Sequence, residues 1–173
     1  MANKVRIRRA MLQDIASFRT LWQGFMEQQH EEGSLQLPNE YNLDLYTNLF
    51  KAYLSGEATG LVLFVTDGTK DVGVYMDGVI VGGFELSIGT YTMMWGTYLE
   101  PEYRGRGITH QIGDAAMKWT LEKGFTGGIT GILAGGKTVP EVLKHAVDGK
   151  RGTGTTKPYV IELYWEFDKP SDS

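Results

Sequence analysis

Nine consecutive residues, Pro101-Glu102-Tyr103-Arg104-Gly105-Arg106-Gly107-Ile108-Thr109, place two arginines and two glycines where an alternating apolar run gives way to a helical one. That composition is suited to holding phosphate. The first backbone N–H groups of a helix lack intrahelical acceptors, the helix dipole puts partial positive charge there, and glycine lets a ligand approach the main chain. Arg104 and Arg106 add fixed cationic charge to the same turn.

A second stretch has phosphate chemistry in its spacing. Gly131-Ile132-Leu133-Ala134-Gly135-Gly136-Lys137-Thr138 satisfies the P-loop pattern of glycine, four residues and Gly-Lys-Thr, with Lys137 for phosphate and Thr138 for magnesium. The surroundings argue against it. A P-loop follows the first strand of a parallel sheet, whereas only 35 residues come after Thr138. The strands before it are joined by short turns, which demand antiparallel pairing, and Pro140 stands unusually close behind the lysine. A P-loop nucleotide-binding protein is therefore the lesser reading.

Composition narrows the field further. With 173 residues, 42% hydrophobic and 22% charged, the chain is expected to form a single domain, residues 1–173, with one good core. A net charge of -4 argues against general nucleic-acid binding. The absence of cysteine excludes disulfides, thiolate metal sites and an acyl-cysteine intermediate, and it suits a reducing cytoplasm. No metal site is expected. No apolar stretch approaches the length of a membrane span, so the chain reads as soluble, intracellular and cytoplasmic.

The elements that must position these residues follow from periodicity. Val5 and Ile7 alternate with Arg6 and Arg8, predicting a short strand with one wet face. Ile15, Phe18, Trp22 and Phe25 predict a helix beginning at Asp14, and Tyr46, Leu49, Phe50 and Tyr53 a second over residues 43–54. Strands are predicted at 61–66, 72–76, 79–88 and 92–99, with Asp77-Gly78 as a hairpin turn. Ile108, Ile112, Ala115, Ala116 and Trp119 define a third helix closed by Gly124. A strand at 129–134, a helix at 139–147, a long loop at 149–157 and an alternating strand at 159–167 complete the pattern.

The glycine turn, with Tyr98-Leu99-Glu100-Pro101-Glu102-Tyr103 ahead of it, resembles the acetyl-CoA-binding motif of the GNAT superfamily of N-acetyltransferases: Gln or Arg, two residues, Gly, one residue, then Gly or Ala. Thr109 departs from the last position, where a β-branched residue crowds the phosphate or offers it a hydroxyl. The resemblance implies an α/β fold with a mixed, mostly antiparallel central sheet flanked by about four helices. It implies acetyl-CoA as cosubstrate and direct acetyl transfer to the amine of a small molecule or peptide. Tyr98, Leu99, Arg104, Gly105, Arg106, Gly107, Ile108 and Thr109 would form the cofactor site.

Direct transfer needs a neutral amine, and deprotonating a lysine-like group at neutral pH costs about 4 to 5 kcal/mol, so a base is required. Glu85, mid-strand and opposite in face to Phe84 and Leu86, is the leading candidate, ahead of Glu100. The family often uses a tyrosine of the helix after its fifth strand as the acid, and none lies between Val139 and Val147. His145 occupies that region and titrates near neutrality; Tyr159 is a weaker candidate. His110 is close enough to the turn for a helix-N-terminal contact, and His30 has no assigned role. Glu27, Glu31, Glu32 and Asp44 would suit a cationic acceptor, and Lys150, Arg151 and Lys157 either the cofactor's ribose phosphate or an anionic partner. A catalytically inactive GNAT-fold protein that binds CoA or a partner is the alternative from another class, motivated by the missing tyrosine. The resemblance also leaves open a homodimer.

Overall fold

The computed structural model describes residues 5–32, 37–79, 91–125, 127–130, 150–151 and 154–155. The chain separates into two compact units, Met1–Thr130 and Gly131–Ser173. In the first, strand β1 (Arg6–Arg9) leads into helices α1 (Ile15–Glu31) and α2 (Glu40–Ser55); strands β2 (Gly60–Asp67), β3 (Lys70–Val79) and β4 (Tyr91–Leu99), helix α3 (Ile108–Glu122) and strand β5 (Gly127–Thr130) follow. The strands form one sheet in chain order. β1 to β4 are antiparallel neighbours, while β5 joins β4 in parallel, pairing Tyr91 with Gly127 and Met94 with Thr130. A parallel neighbour requires a crossover connection, and α3 supplies it. In the second unit, strands β6 (Lys150–Arg151) and β7 (Gly154–Thr155) pair antiparallel inside the stretch expected to be a loop.

The mixed, mostly antiparallel sheet is the expected one, and three α-helices are present among the described residues. The helix expected at 139–147 and the strand at 159–167 lie outside them. No helix of the described residues is long and apolar enough to cross a membrane.

Each face of the sheet carries its own core. Val62, Phe64, Val74 and Met76 meet Phe18, Leu21, Trp22 and Met26 of α1 and Leu43, Phe50 and Tyr53 of α2. On the opposite face Leu61, Leu63, Val65, Val72, Tyr75 and Leu99 meet Ile108, Ile112, Ala116 and Trp119 of α3. The period of two in the strands and of three to four in the helices produces this division. It also explains why β2 and β3 are nearly continuous apolar runs: both faces are covered.

The Asp77-Gly78 hairpin turn does not exist. Both residues lie inside β3, Asp77 opposite Leu61 of β2 and Gly78 opposite Gly60, so the runs expected as separate strands join through Val79. The chain reverses instead at Gly68-Thr69, between the paired Asp67 and Lys70, with Gly68 at φ +62°. Glycine at positive φ in the first central position is the chemistry of a two-residue hairpin. Gly78 is a glycine for another reason: a Cβ there would stand 2.0 Å from the Tyr53 hydroxyl, and one at Gly60 would stand 2.3 Å from the same ring.

The arginine face of β1 is also less wet than expected. Arg8 donates to both carboxylate oxygens of Asp14, at 2.7 and 3.1 Å, and to Asp71 at 3.0 Å, and its guanidinium lies 4.9 Å from the centre of the Phe64 ring. Asp14 in turn accepts the Met11 N–H at 2.7 Å. Arg8 therefore ties both the start of α1, through Asp14, and β3, through Asp71, to β1.

Candidate active site

β4 and the turn after it bring the predicted phosphate-binding residues together. Beyond Leu99 the chain makes one 3-10 turn over Pro101–Tyr103, with Tyr103 N–H donating to the Glu100 carbonyl at 2.9 Å. Gly105 and Gly107 both stand at φ +72°, the left-handed region that favours glycine, and α3 begins at Ile108 with Gly107 as its N-cap. Ile108 is buried against the sheet, whereas Thr109 is exposed in the second helical position. His110 is likewise exposed, and its N–H donates to the Gly107 carbonyl at 3.2 Å. Among the described residues, no carbonyl or side chain accepts the amides of residues 105–109. Positions at which a Cβ would enter open space flank these amides at Gly105 and Gly107. A row of amides at a helix start that no described residue accepts fits a pyrophosphate.

The two arginines of the loop have different surroundings. Arg104 turns back: its Nε donates to the Leu99 carbonyl at 2.9 Å, its terminal nitrogen to Gln28 of α1 at 2.8 Å, and its guanidinium lies 5.6 Å from the Tyr98 ring centre. Arg106 is exposed and lies 5.3 Å from the Tyr103 ring centre. Tyr103 donates its hydroxyl to Asp67 at 2.9 Å, a bond that raises the pKa of the phenol, helped by its partial burial. Lys70 reaches Glu100 at 2.6 Å. The loop is thus pinned to the β2–β3 hairpin and to α1.

The β4 backbone offers an open edge beside the loop. Glu100 N–H donates to the Val72 carbonyl of β3, which makes Val72 and Glu100 a hydrogen-bonded pair; by alternation Val74 and Tyr98 are another, and Leu99 turns its N–H and C=O away from β3. Acceptance of the Arg104 side chain by the Leu99 carbonyl agrees with that orientation. Thr97 points the same way. Pairing with β5 covers residues 91–94, so residues 95–99 have β3 as their only strand partner among the described residues. Tyr98 spends its amide in the ladder opposite Val74, and its ring lies under the Arg104 guanidinium.

Within that half of β4 the register steps from Met76 opposite Gly96 to Asp77 opposite Met94, leaving Trp95 as an extra residue. A bulge of this kind bends the strand and re-aims side chains. The Trp95 indole N–H donates to the Tyr53 hydroxyl at 2.8 Å. Beside it, on the α3 face, Asp77 is buried and accepts hydrogen bonds from Tyr75 at 2.9 Å and Thr92 at 3.1 Å. Its second oxygen has no partner among the described residues. Burial raises the Asp77 pKa against these two hydrogen bonds and that of the Gly78 N–H, and burial next to Asp77 pushes the Tyr75 phenol far above its ordinary range.

The remaining sequence candidates divide into two groups. Glu85, His145, Lys137, Thr138, Lys157 and Tyr159 lie outside the described residues. Of the others, Asp44 pairs with Arg19, Glu27 accepts from Gln23, Glu32 accepts from Gln28, and Glu100 accepts from Lys70. His30 and Glu31 are exposed near the end of α1, and Lys150 and Arg151 form β6. Sequence reasoning missed Gln28, Tyr53, Trp95 and Asp77. Only Asp77 carried a signal, and its Asp-Gly pair was read as a turn.

The bulged fourth strand of a mixed sheet thus opens into a glycine-flanked helix start. The chain belongs to the GNAT acetyltransferase family, whose model matches residues 15–132. No curated protein sequence matches it. Solved structures do. A possible acetyltransferase from Clostridium difficile 630 is 17% identical, with 91% of this chain and 99% of that one covered and a TM-score of 0.62. A predicted acetyltransferase from Clostridium acetobutylicum, solved with acetyl-CoA, is 17% identical over 93% and 96% of the two chains, with a TM-score of 0.65. An aminoglycoside acetyltransferase from an uncultured soil metagenomic sample, in complex with sisomicin, is also 17% identical over 94% and 96%, with a TM-score of 0.64. At these identities the likeness is one of fold.

Proposed function

We propose that this chain, over residues 1–173, moves an acetyl group from acetyl-CoA directly to the amine of a small-molecule or peptide acceptor. The observation that carries the reading is the row of amides at residues 105–109 that no described residue accepts, beside an edge of β4 that no described strand covers. Those amides would hold the pyrophosphate, with Arg106 adding charge and the Thr109 hydroxyl standing one residue into the helix. The outward N–H groups of Leu99 and Thr97 would pair with the pantetheine arm as a neighbouring strand does. Bound there, acetyl-CoA supplies an activated thioester carbon for the amine to attack.

The chain's own residues must then move the protons. Glu85 takes one from the ammonium form of the acceptor; once the C–N bond has formed, the nitrogen gives up its second proton to solvent as the C–S bond breaks, and His145 delivers one to the departing sulfur and regains it from solvent, so that one proton is released per turnover. A cationic small-molecule acceptor is supported by the fold neighbour solved with sisomicin. The absence of cysteine suits a reducing compartment, and we assign the protein to the cytoplasm.

Calorimetric titration with acetyl-CoA, run beside magnesium-ATP, is the primary test. Micromolar acetyl-CoA binding that Arg106→Glu abolishes is expected, followed by acetyl transfer within an amine panel that Glu85→Gln and His145→Ala each reduce. Binding of ATP alone would move the function to the Lys137 segment and overturn the reading. Tight acetyl-CoA binding without transfer to any amine would make the protein a CoA-binding module.

A further inference from the structure

Tyr53 is in the last turn of α2, before Gly56 closes the helix at φ +82°. Its side chain crosses β2 and β3 and ends at β4. Two glycines make the crossing possible, since a Cβ at Gly60 or Gly78 would stand within 2.4 Å of the ring or its hydroxyl. The hydroxyl then accepts the indole N–H of Trp95, the extra residue of the β4 bulge. From α1, Phe25 closes on the adjacent Gly96, where a Cβ would stand 2.5 Å from the ring. The bulge is thus gripped by a hydrogen bond from one helix and by an aromatic ring from the other.

We propose that Tyr53 is a positioning residue: by accepting the Trp95 N–H, it fixes where the bulge stands, and with it the open β4 edge along which the cofactor's acetyl-bearing arm is to lie. The inference rests on the acetyl-transfer reading. Two features favour a positioning role over filling space. A phenylalanine would fill the gap over Gly60 and Gly78 equally well, so the hydroxyl is spent on Trp95 alone among the described residues. Burial raises the Tyr53 pKa, so the hydroxyl stays a neutral acceptor across the physiological range. Tyr53 packs in the α1 and α2 core, whereas the helix that starts at Ile108 packs in the opposite one, so losing the bond should disturb the reaction rather than cofactor binding.

The test compares wild type with Tyr53→Phe, Trp95→Phe and the double variant in steady-state kinetics, thermal unfolding and amide NMR. Tyr53→Phe is expected to lower kcat about tenfold, the worth of roughly one hydrogen bond, with KM for acetyl-CoA within about twofold of wild type. The double variant should be no slower than the slower single one, because both remove the same bond. In the spectra the Trp95 indole signal and the amides of residues 94–97 should move. A lower melting temperature with unchanged kcat and unmoved amides would overturn the proposal, as would additive losses in the double variant. Wild-type protein that binds no acetyl-CoA would sink the acetyl-transfer reading instead, and the amides of residues 94–97 would still decide whether Tyr53 positions the bulge.

Discussion

Arg104 donates through Nε to the carbonyl of Leu99, five residues earlier in the chain, at 2.9 Å. The motif's leading arginine therefore works on its own strand, while a terminal nitrogen reaches Gln28 of α1. Its planar fork makes both contacts at once, and a lysine cannot. Arg104→Lys is expected to weaken acetyl-CoA binding about tenfold by loosening the loop, and Gln28→Ala, which removes one of the two links, about threefold. Calorimetry on the two variants checks this ordering; equal affinities would show that the cradle stands without the clamp.

The Arg8–Asp14 pair gives an acid-sensitive anchor. Burial alone would raise the Asp14 pKa, but the Arg8 guanidinium and the Met11 N–H outweigh it and hold the carboxyl below its ordinary value. A carboxylate with a depressed folded-state pKa stabilises the fold above its unfolded pKa and loses that contribution as pH falls through the folded value. Asp14→Asn should cost about 2 kcal/mol near neutral pH. Urea melts at decreasing pH should show the gap from wild type closing.

Asp77 should behave in the opposite sense. Its folded-state pKa is raised by burial, so its stabilising contribution is present in acid and is lost as pH rises through the folded value. Asp77→Asn keeps an acceptor for Tyr75 and Thr92 without the charge. Its stability relative to wild type should therefore improve from acid to neutral pH, and parallel denaturant titrations would show it; a flat difference would mean that the fold leaves the Asp77 pKa at its unfolded value.

Gly96 meets Phe25 at the bulge. Gly96→Ala should destabilise by about 1 to 3 kcal/mol through overpacking, and adding Phe25→Leu should recover part of that loss. Thermal melts of the single and double variants read this directly.

Asp67-Gly68 and Asp77-Gly78 are the same dipeptide ten positions apart, and of these two only the first makes a turn. Asp67-Gly68 bends because Gly68 adopts positive φ, while Gly78 runs straight through β3 to leave room for Tyr53. Local sequence cannot separate these cases, because the reason for Gly78 lies 25 positions away on a helix. The helices were readable from their apolar period, and the loop at 104–109 from its own residues, since a helix start with flanking glycines is local chemistry. The Arg104–Gln28 bond, 76 residues apart, and the Trp95 bulge depend on packing that no short window contains.

Along β3, consecutive side chains enter different cores: Val74 and Met76 under α1 and α2, Tyr75 under α3. The sheet therefore acts as an insulating wall between two halves that can drift separately. Residues of α1 and α2 that touch neither Gln28, Tyr53 nor the β4 bulge can be exchanged with little effect on the helix that starts at residue 108, so each side of the wall can change its sequence on its own schedule.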